Sequence, residues 1–393
     1  MAGVRGQSRI MRTLILGGSE FVGRALTDAA LARGWDVTVF NRGRYELPPE
    51  ARPLVGDRTV EGGLAALAGG EWDVVLDTWS AAPRAVRDTA DLLADRVGRY
   101  VYISSCSVYA DPTPIGLGEE APLVEGSPDD DGDVAYPIAK RGAEIAVERA
   151  FGDRYVHARA GLILGPRENI GRLPWWLNRI ARGGPVVAPG PRESPLQFID
   201  ARDLAEWSVH AAEAGLSGPY NLISPTGHTT MGELLDLCVR VTGSTAELRW
   251  IDPETILAAD VQPWIELPVW VPAGADYDSI HRRDVGKALA AGLRIRPAAE
   301  TVADTWAWLC ALGGVAPQRP DRPVVGLPRK RKPHCSRPDG ARRRRPTRRR
   351  PPGTRAHPAP RVQAVHRSGP GRIRSPHREP AVRLRRGRRR HGP

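Results

Sequence analysis

The sequence predicts an α/β protein: a doubly wound parallel sheet, a smaller C-terminal α+β part that holds substrate, and a disordered basic tail. Three observations predict it. Short β-rich apolar runs alternate with helical stretches from Met11 to Arg159, the pattern of a parallel sheet with right-handed crossovers. The first run leads at once into a glycine turn and a helix, the unit that opens a nucleotide-binding sheet. From about Gln318 the composition turns to arginine and proline, which cannot build a core.

Residues 11–16 form the first apolar strand, and Gly17-Gly18-Ser19-Glu20-Phe21-Val22-Gly23 follows it. A helix comes next, with Val22, Leu26, Ala29 and Ala30 apolar and a stop at Arg33-Gly34. Residues 35–40 are the second strand. Glycines let the backbone approach a pyrophosphate, and a helix N-terminus offers it free N–H groups and a positive dipole end. Gly17, Gly18, Ser19, Phe21, Val22 and Gly23 are therefore candidate cofactor-binding residues. Glu20 stands where a middle glycine is usual, and its carboxylate would sit near phosphate unless it points outward. A bare structural turn is the alternative.

Asn41-Arg42-Gly43-Arg44 closes the second strand. An acidic residue here would favour a free ribose 2′-hydroxyl, whereas arginine accommodates a 2′-phosphate, so Asn41, Arg42 and Arg44 point to NADP(H) over NAD(H). Two solvated loop arginines are the competing reading. Asp57 follows a short strand at 53–55 and could reach the adenine edge, or be a surface turn residue. Residues 71–77 are the fourth strand, 83–96 a helix with Leu92 and Leu93 apolar, and 99–103 the fifth strand, running into Ser104-Ser105-Cys106-Ser107-Val108-Tyr109. Residues 111–132 are an aperiodic loop. Its Asp129-Asp130-Asp131 reads as a solvated acidic turn, since no histidine or further carboxylate has metal-ligand spacing.

Asp133 is expected to cap a helix that carries Tyr136 and Lys140, four residues apart and so on one face. Pro137 is tolerated in the first turn. Residues 155–159 are the sixth strand. Beyond residue 170 the pattern is less regular: helices at 173–181 and 201–214, strands at 195–199 and 220–223, a helix opened by Thr229-Thr230, and helices near 283–291 and 298–312. Elements near 195–225 are expected to return to the first domain (11–170), leaving 171–318 to bind substrate. Trp175, Trp176, Trp207, Trp264, Trp270, Trp306 and Trp308 fall here, as core or as pocket lining.

Hydride transfer at a carbonyl needs a proton donor or acceptor beside the reacting carbon. A tyrosine near neutrality must have its phenol brought down by roughly 3 units from about 10, or about 4 kcal/mol. A nearby ammonium acts in that direction, and a serine hydroxyl can polarise the same carbonyl oxygen. Tyr136, Lys140 and Ser105 fit these roles. Residues 1–318 hold 29 arginines but only 2 lysines, so a lysine kept at 140 suggests a task that a guanidinium cannot fill.

The glycine turn 17–23, the run Ile103-Ser-Ser-Cys-Ser-Val-Tyr109, Tyr136-x-x-x-Lys140, Gly165-Pro166 and Phe198-Ile-Asp-Ala-Arg-Asp203 together resemble the extended short-chain dehydrogenase/reductase superfamily, in its NAD-dependent epimerase/dehydratase branch. The resemblance covers roughly residues 11–312. It implies a Rossmann fold and an NAD(P) cofactor. It implies Tyr136 as acid/base, Lys140 as holder of the nicotinamide ribose, and Ser105 as the residue orienting the carbonyl. The change at Glu20 resembles a sub-branch that includes chloroplast stem-loop-binding proteins. The first reading is thus an NAD(P)-dependent reductase or epimerase/dehydratase acting on a small carbonyl or secondary alcohol. The alternative is a non-catalytic regulatory or RNA-binding protein on the same fold, and a third reading is an assembly protein using the tail.

The net charge of +12 hides a division. Residues 319–393 carry 26 of the 57 basic and 3 of the 45 acidic residues, so the tail is +23 and residues 1–318 are −11. Nucleic acid is therefore expected only through the tail, if anywhere. The tail has three readings: a phosphate-binding arm, a solvated linker, or an out-of-frame translation of a GC-rich gene from near codon 328. Residues 1–10 read as a disordered extension. The four cysteines, Cys106, Cys238, Cys310 and Cys335, have neither metal nor redox spacing, which suits a cytoplasmic protein. No membrane span or signal core is expected. Oligomeric state is left open, with a homodimer as the candidate.

Overall fold

The computed structural model describes residues 10–111, 115–116 and 118–328. The expected N-terminal extension, apart from Ile10, and all readings of the tail from residue 329 onward lie outside the described residues.

In chain order the elements are β1 (Arg12–Leu16), α1 (Phe21–Ala32), β2 (Asp36–Asn41), β3 (Arg52–Val55), β4 (Trp72–Asp77), α2 (Arg84–Leu93), β5 (Val97–Ser105), α3 (Tyr136–Phe151) and β6 (Tyr155–Ala160). There follow β7 (Ile163–Leu164), α4 (Arg172–Ala181), β8 (Pro185–Pro189), β9 (Pro195–Leu196), β10 (Ile199–Asp200), α5 (Ala201–Glu213) and β11 (Gly218–Leu222). The last are β12 (Thr229–Thr230), α6 (Met231–Thr242), β13 (Glu247–Ile251), α7 (Pro253–Ala258), α8 (Ala275–His281), α9 (Gly286–Ala290) and α10 (Ala298–Ala311).

Seven parallel strands form one sheet in the order β11-β6-β5-β4-β1-β2-β3. The chain starts in the middle, walks out to β3, then returns to β4 on the other side of β1. That reversal opens a crevice at the carboxyl ends of β1 and β4, where ligands sit in sheets of this kind. Both faces are covered, which is why Thr13 to Leu16 and Val74 to Asp77 are buried without alternation. Ile15, Val39, Leu76, Ile103 and Leu204 belong to the core on one face, and Leu14, Val75, Tyr100, Tyr102 and Val147 to the core on the other. A separate core gathers Trp176, Leu177, Leu235, Trp270 and Leu309 where α4, α6 and α10 pack together.

Several expectations need correction. Asp133 does not cap α3: the helix begins at Tyr136, its N-cap is Ala135, and no side chain caps it. The strand expected at 195–199 is two short pieces, because Gln197 turns inward to the carbonyls of Ser224 and Arg283. The helix expected from 283 begins at Gly286, since the Arg283 N–H is taken by Gln197 Oε1 at 2.9 Å. The parallel pair β8–β13 and the helices α7 and α8 had no counterpart in the sequence reading.

The largest correction is at the C-terminal boundary. Residues 319–328 do not leave the body. The Arg319 N–H donates to the Asn169 carbonyl at 3.0 Å and the Gly326 N–H to the Ile265 carbonyl at 2.7 Å. Val325 is buried and Leu327 joins the α4–α6–α10 core. Gly326 has φ +99, and a Cβ there would lie 1.8 Å from Trp175 Nε1, so only glycine passes under that ring. This strap lies over α3 and α4. Among the described residues no helix is long and apolar enough to cross a membrane.

Candidate active site

The glycine turn is built for close backbone approach. Gly17 (φ +116) and Gly18 (φ +60) occupy conformations that side chains disfavour. A Cβ on Gly17 would meet Thr78 Oγ1 at 2.2 Å, one on Gly18 would meet Val39 Cγ1 at 2.5 Å, and one on Gly23 would meet the Gly18 nitrogen at 2.7 Å. Helix α1 has no acidic residue in its first turn and no side-chain cap, so its N-terminal donors remain for a ligand. These features fit a dinucleotide pyrophosphate. Ser19 Oγ turns back to the Gly17 carbonyl at 3.3 Å, Phe21 is buried with φ +32, and Val22 is half-buried. Glu20 is exposed. Its carboxylate accepts from Asn169 Nδ2 at 3.3 Å and lies close enough to Arg319 to favour that guanidinium.

At the end of β2, Asn41 Oδ1 accepts from the Gly43 N–H at 2.7 Å and orders the loop that carries Arg42 and Arg44. Both arginines are exposed. Asp57 is held by Thr59, whose N–H and hydroxyl donate to it at 3.0 and 2.6 Å. Those bonds hold the Asp57 carboxyl below its ordinary value, with Arg42 and Arg44 adding to the effect. Arg42, Arg44 and Asp57 therefore lie near one another.

Arg58, the residue after Asp57, was not singled out by sequence. It is buried, and its guanidinium grips Asp77 at 2.8 and 3.0 Å and the Ala85 carbonyl at 2.9 Å. Asp77 also accepts from the Tyr100 hydroxyl at 2.6 Å and from the Trp79 N–H at 2.9 Å. Arg58 stacks on the Trp79 ring at 5.1 Å, so this network fixes the loop after β4.

Lys140 reaches that loop from α3. Lys140 is 3% exposed, and its ammonium donates to the carbonyls of Trp79 and Ile103, each at 2.6 Å, above the Tyr102 ring at 4.6 Å. Burial lowers its pKa to about 7, against the pull of Asp77 and Glu144. Tyr136 is half-buried at the start of α3. Burial raises its phenol above the ordinary tyrosine value, while a hydrogen bond with Ser105 and the charges of Arg322, Arg172 and Arg319 lower it. Ser105 ends β5 and also accepts from the Ser107 N–H at 3.1 Å. The structure thus brings the expected phenol and serine together. The cations that act most on the phenol are arginines that sequence did not single out, and Lys140 is turned to backbone carbonyls instead.

Three further clusters bear on the site. Glu168 is fully buried and accepts from the N–H groups of Arg172 and Leu173 at 2.7 and 3.1 Å, capping α4; burial raises its pKa to about 7. Glu144, Glu148 and His157 come within 4.8 Å of one another, but Glu144 is gripped by Arg159 at 2.9 and 3.0 Å and Glu148 by Arg141 at 2.8 Å. Asp129 and Asp131 pair with Arg87 and Arg84 of α2. Two open hollows flank α1, one lined by Arg24, Trp35 and Glu50 and one by Phe21, Arg167 and Glu206, and neither is lined by Ser105, Tyr136 or Lys140.

Comparison with known proteins agrees with this geometry. The chain is 25% identical over 349 residues to UDP-glucose 4-epimerase of Corynebacterium glutamicum, covering 77% of this chain and 97% of the relative. It is 25% identical over 256 residues to the chloroplast stem-loop binding protein of 41 kDa b of Arabidopsis thaliana, covering 59% of this chain and 63% of that protein. The crystal structure of the Bordetella bronchiseptica enzyme WbmH in complex with NAD+ superposes with a TM-score of 0.60 at 19% identity, over 78% of this chain and 100% of that one. Residues 13–222, from β1 through β11, match the model of the NAD dependent epimerase/dehydratase family, and the chain belongs to that family.

Proposed function

We propose that the protein is an NAD(P)-dependent oxidoreductase or epimerase that moves hydride at a carbonyl or secondary alcohol, with Tyr136 as acid/base. The observation that carries this is the Tyr136 phenol, hydrogen-bonded to Ser105 at the carboxyl end of β5, on the same helix face as Lys140. When bound, the nicotinamide supplies or accepts the hydride. The turn at Gly17, Gly18 and Gly23 and the donors that open α1 would hold the pyrophosphate, and Lys140 would hold the nicotinamide ribose.

The tasks then divide among the residues. Tyr136 releases its proton as a carbonyl is reduced and takes one as an alcohol is oxidised. Ser105 donates to the same substrate oxygen and orients it. Arg172, Arg319 and Arg322 favour the phenolate and so offset the burial that opposes it. Lys140 fixes the backbone of Trp79 and Ile103 beneath the reacting carbon. The Arg42–Arg44 loop supports a preference for NADP(H). The relative from Corynebacterium glutamicum is named as a UDP-glucose 4-epimerase, so UDP-glucose is the first substrate to assay. The RNA-binding reading is weaker, because the acidic charge of residues 1–318 repels phosphate.

The test is Tyr136→Phe in the full chain. Turnover is expected to vanish while cofactor affinity stays within a few fold. Surviving turnover would remove Tyr136 from this role. The absorption spectrum of the purified protein separates the reaction types: a retained nicotinamide favours epimerisation, and an exchangeable one favours a reductase.

A further inference from the structure

Two guanidinium groups beside Tyr136 have donors with nothing to bond. Arg172 Nε and Arg322 Nε are buried and have no acceptor among the described residues. Arg322 stacks over the Tyr136 ring at 5.1 Å, and Arg172 stacks over Trp264 at the same distance. Both are close enough for their charges to act on the Tyr136 phenol. Leaving a charged donor buried and unpaired is costly, and native proteins rarely do so without a ligand, an ion or an ordered water.

The nearby acids do not fill the gap. Asp321 is taken by Arg319 at 3.0 and 2.6 Å, and Glu20 faces Asn169 and Arg319. Glu168 lies close enough for its charge to favour Arg172, but its oxygens accept from the backbone N–H groups that open α4 and Arg172 Nε stays without an acceptor among the described residues. Arg319 is therefore paired, while Arg172 and Arg322 point to an acceptor that the described residues do not supply.

We propose that Arg172 and Arg322 form an anion subsite beside the Tyr136 hydroxyl, which takes a carboxylate or phosphate borne by the substrate close to its reacting carbon. The proposal deepens the reading of Tyr136 as acid/base and rests on it for the identity of the reacting carbon. Arg172 comes from the first turn of α4 and Arg322 from the strap, which lies beyond the family-matched residues 13–222. The subsite thus joins a residue inside the family-matched segment to one beyond it. A guanidinium pair suits the planar, two-oxygen face of such a group better than ammonium would. An anion there also takes up charge that otherwise favours phenolate, so its presence keeps the proton on Tyr136, the form that can donate.

Trp264 gives a local reporter, since Arg172 stacks on it. The full chain is titrated with inorganic phosphate, and the emission of Trp264 is isolated as the difference between the wild type and Trp264→Phe. A saturable, Trp264-dependent change is expected. Arg172→Gln and Arg322→Gln should each weaken it at least about tenfold, or 1.4 kcal/mol, and Arg322→Lys, which keeps the charge but lacks Nε, should weaken it less. Saturating NAD+ should leave the phosphate affinity unchanged. The absence of a Trp264-dependent change, or equal affinity in all three variants, overturns the subsite. Displacement of phosphate by NAD+ overturns the substrate assignment and gives the pair to the cofactor's pyrophosphate. Circular dichroism checks that each variant is folded, and Arg322 lies outside the sheet and its helices. Tyr136→Phe should bind phosphate as the wild type does, so loss of the acid/base reading and loss of the subsite are read separately.

Discussion

Replacing Arg58 with methionine should cost the protein about 3 kcal/mol. The side chains of Arg58 and Asp77 are 6% and 0% exposed, and they meet through two parallel hydrogen bonds of 2.8 and 3.0 Å. Breaking a buried pair from one side strands the other charge, a loss of about 3–5 kcal/mol. Methionine keeps most of the volume, so little of the loss comes from packing. Asp77 would still accept from the Tyr100 hydroxyl and the Trp79 N–H, which places the expected value at the lower end. Adding Asp77→Asn removes the stranded charge and keeps an acceptor for Tyr100. The double variant should therefore recover about 2 kcal/mol. Urea unfolding followed by tryptophan emission measures both, with the slope unchanged. A single variant that loses less than about 1 kcal/mol, or a double variant no better than the single, would refute this account of the pair. NAD+ affinity should fall with Arg58→Met as well, since Arg58 stacks on Trp79, whose carbonyl receives Lys140.

Gly18→Ala should lose about 2 kcal/mol, from φ +60 and from a Cβ 2.5 Å from Val39 Cγ1, and should weaken cofactor binding more than about tenfold; unaltered melting and unaltered NAD+ titration would count against a tight turn. Arg42→Ala should weaken NADPH more than NADH, and equal losses in a side-by-side titration would argue against a 2′-phosphate contact. His157 and His281 are both fully buried, and burial lowers each to about 4. The unfolded chain takes up these protons first, near the ordinary value of 6.5. Their contribution is therefore intact above pH 6.5 and is lost as pH falls toward 4, by about 3 kcal/mol for each histidine. His157→Gln should flatten that part of the stability profile, and an unchanged acid limb by urea titration would contradict it.

The first half of the fold was legible because its signals are local. A run of apolar residues, a glycine turn and a helical period are each contained within a dozen positions, and β1 to β6 fall within two or three residues of the expected spans. Tyr136 and Lys140 were legible for the same reason, four residues apart on one helix. Arg172 and Arg322 were not, because 29 arginines in residues 1–318 make any single one unremarkable and the two meet across 150 positions. Arg58 was passed over for Asp57, although the buried member of the pair is the one that grips Asp77. The strap was hidden by composition. Val325, Gly326 and Leu327 sit among prolines and arginines, so a window average reports a polar segment, while the contacts that anchor it are each made by one residue. β13 alternates apolar and polar residues, and its partner β8 is flanked by prolines and preceded by two glycines, which obscures the pair.

The strap also closes late during synthesis. The last strand of the main sheet ends at Leu222, and the segment that brings Arg322 over Tyr136 emerges roughly a hundred residues later. A nascent chain can therefore pair all seven strands of its main sheet before the strap reaches the Tyr136 ring. Only after the strap has itself left the ribosome can the chain set Arg322 over that ring.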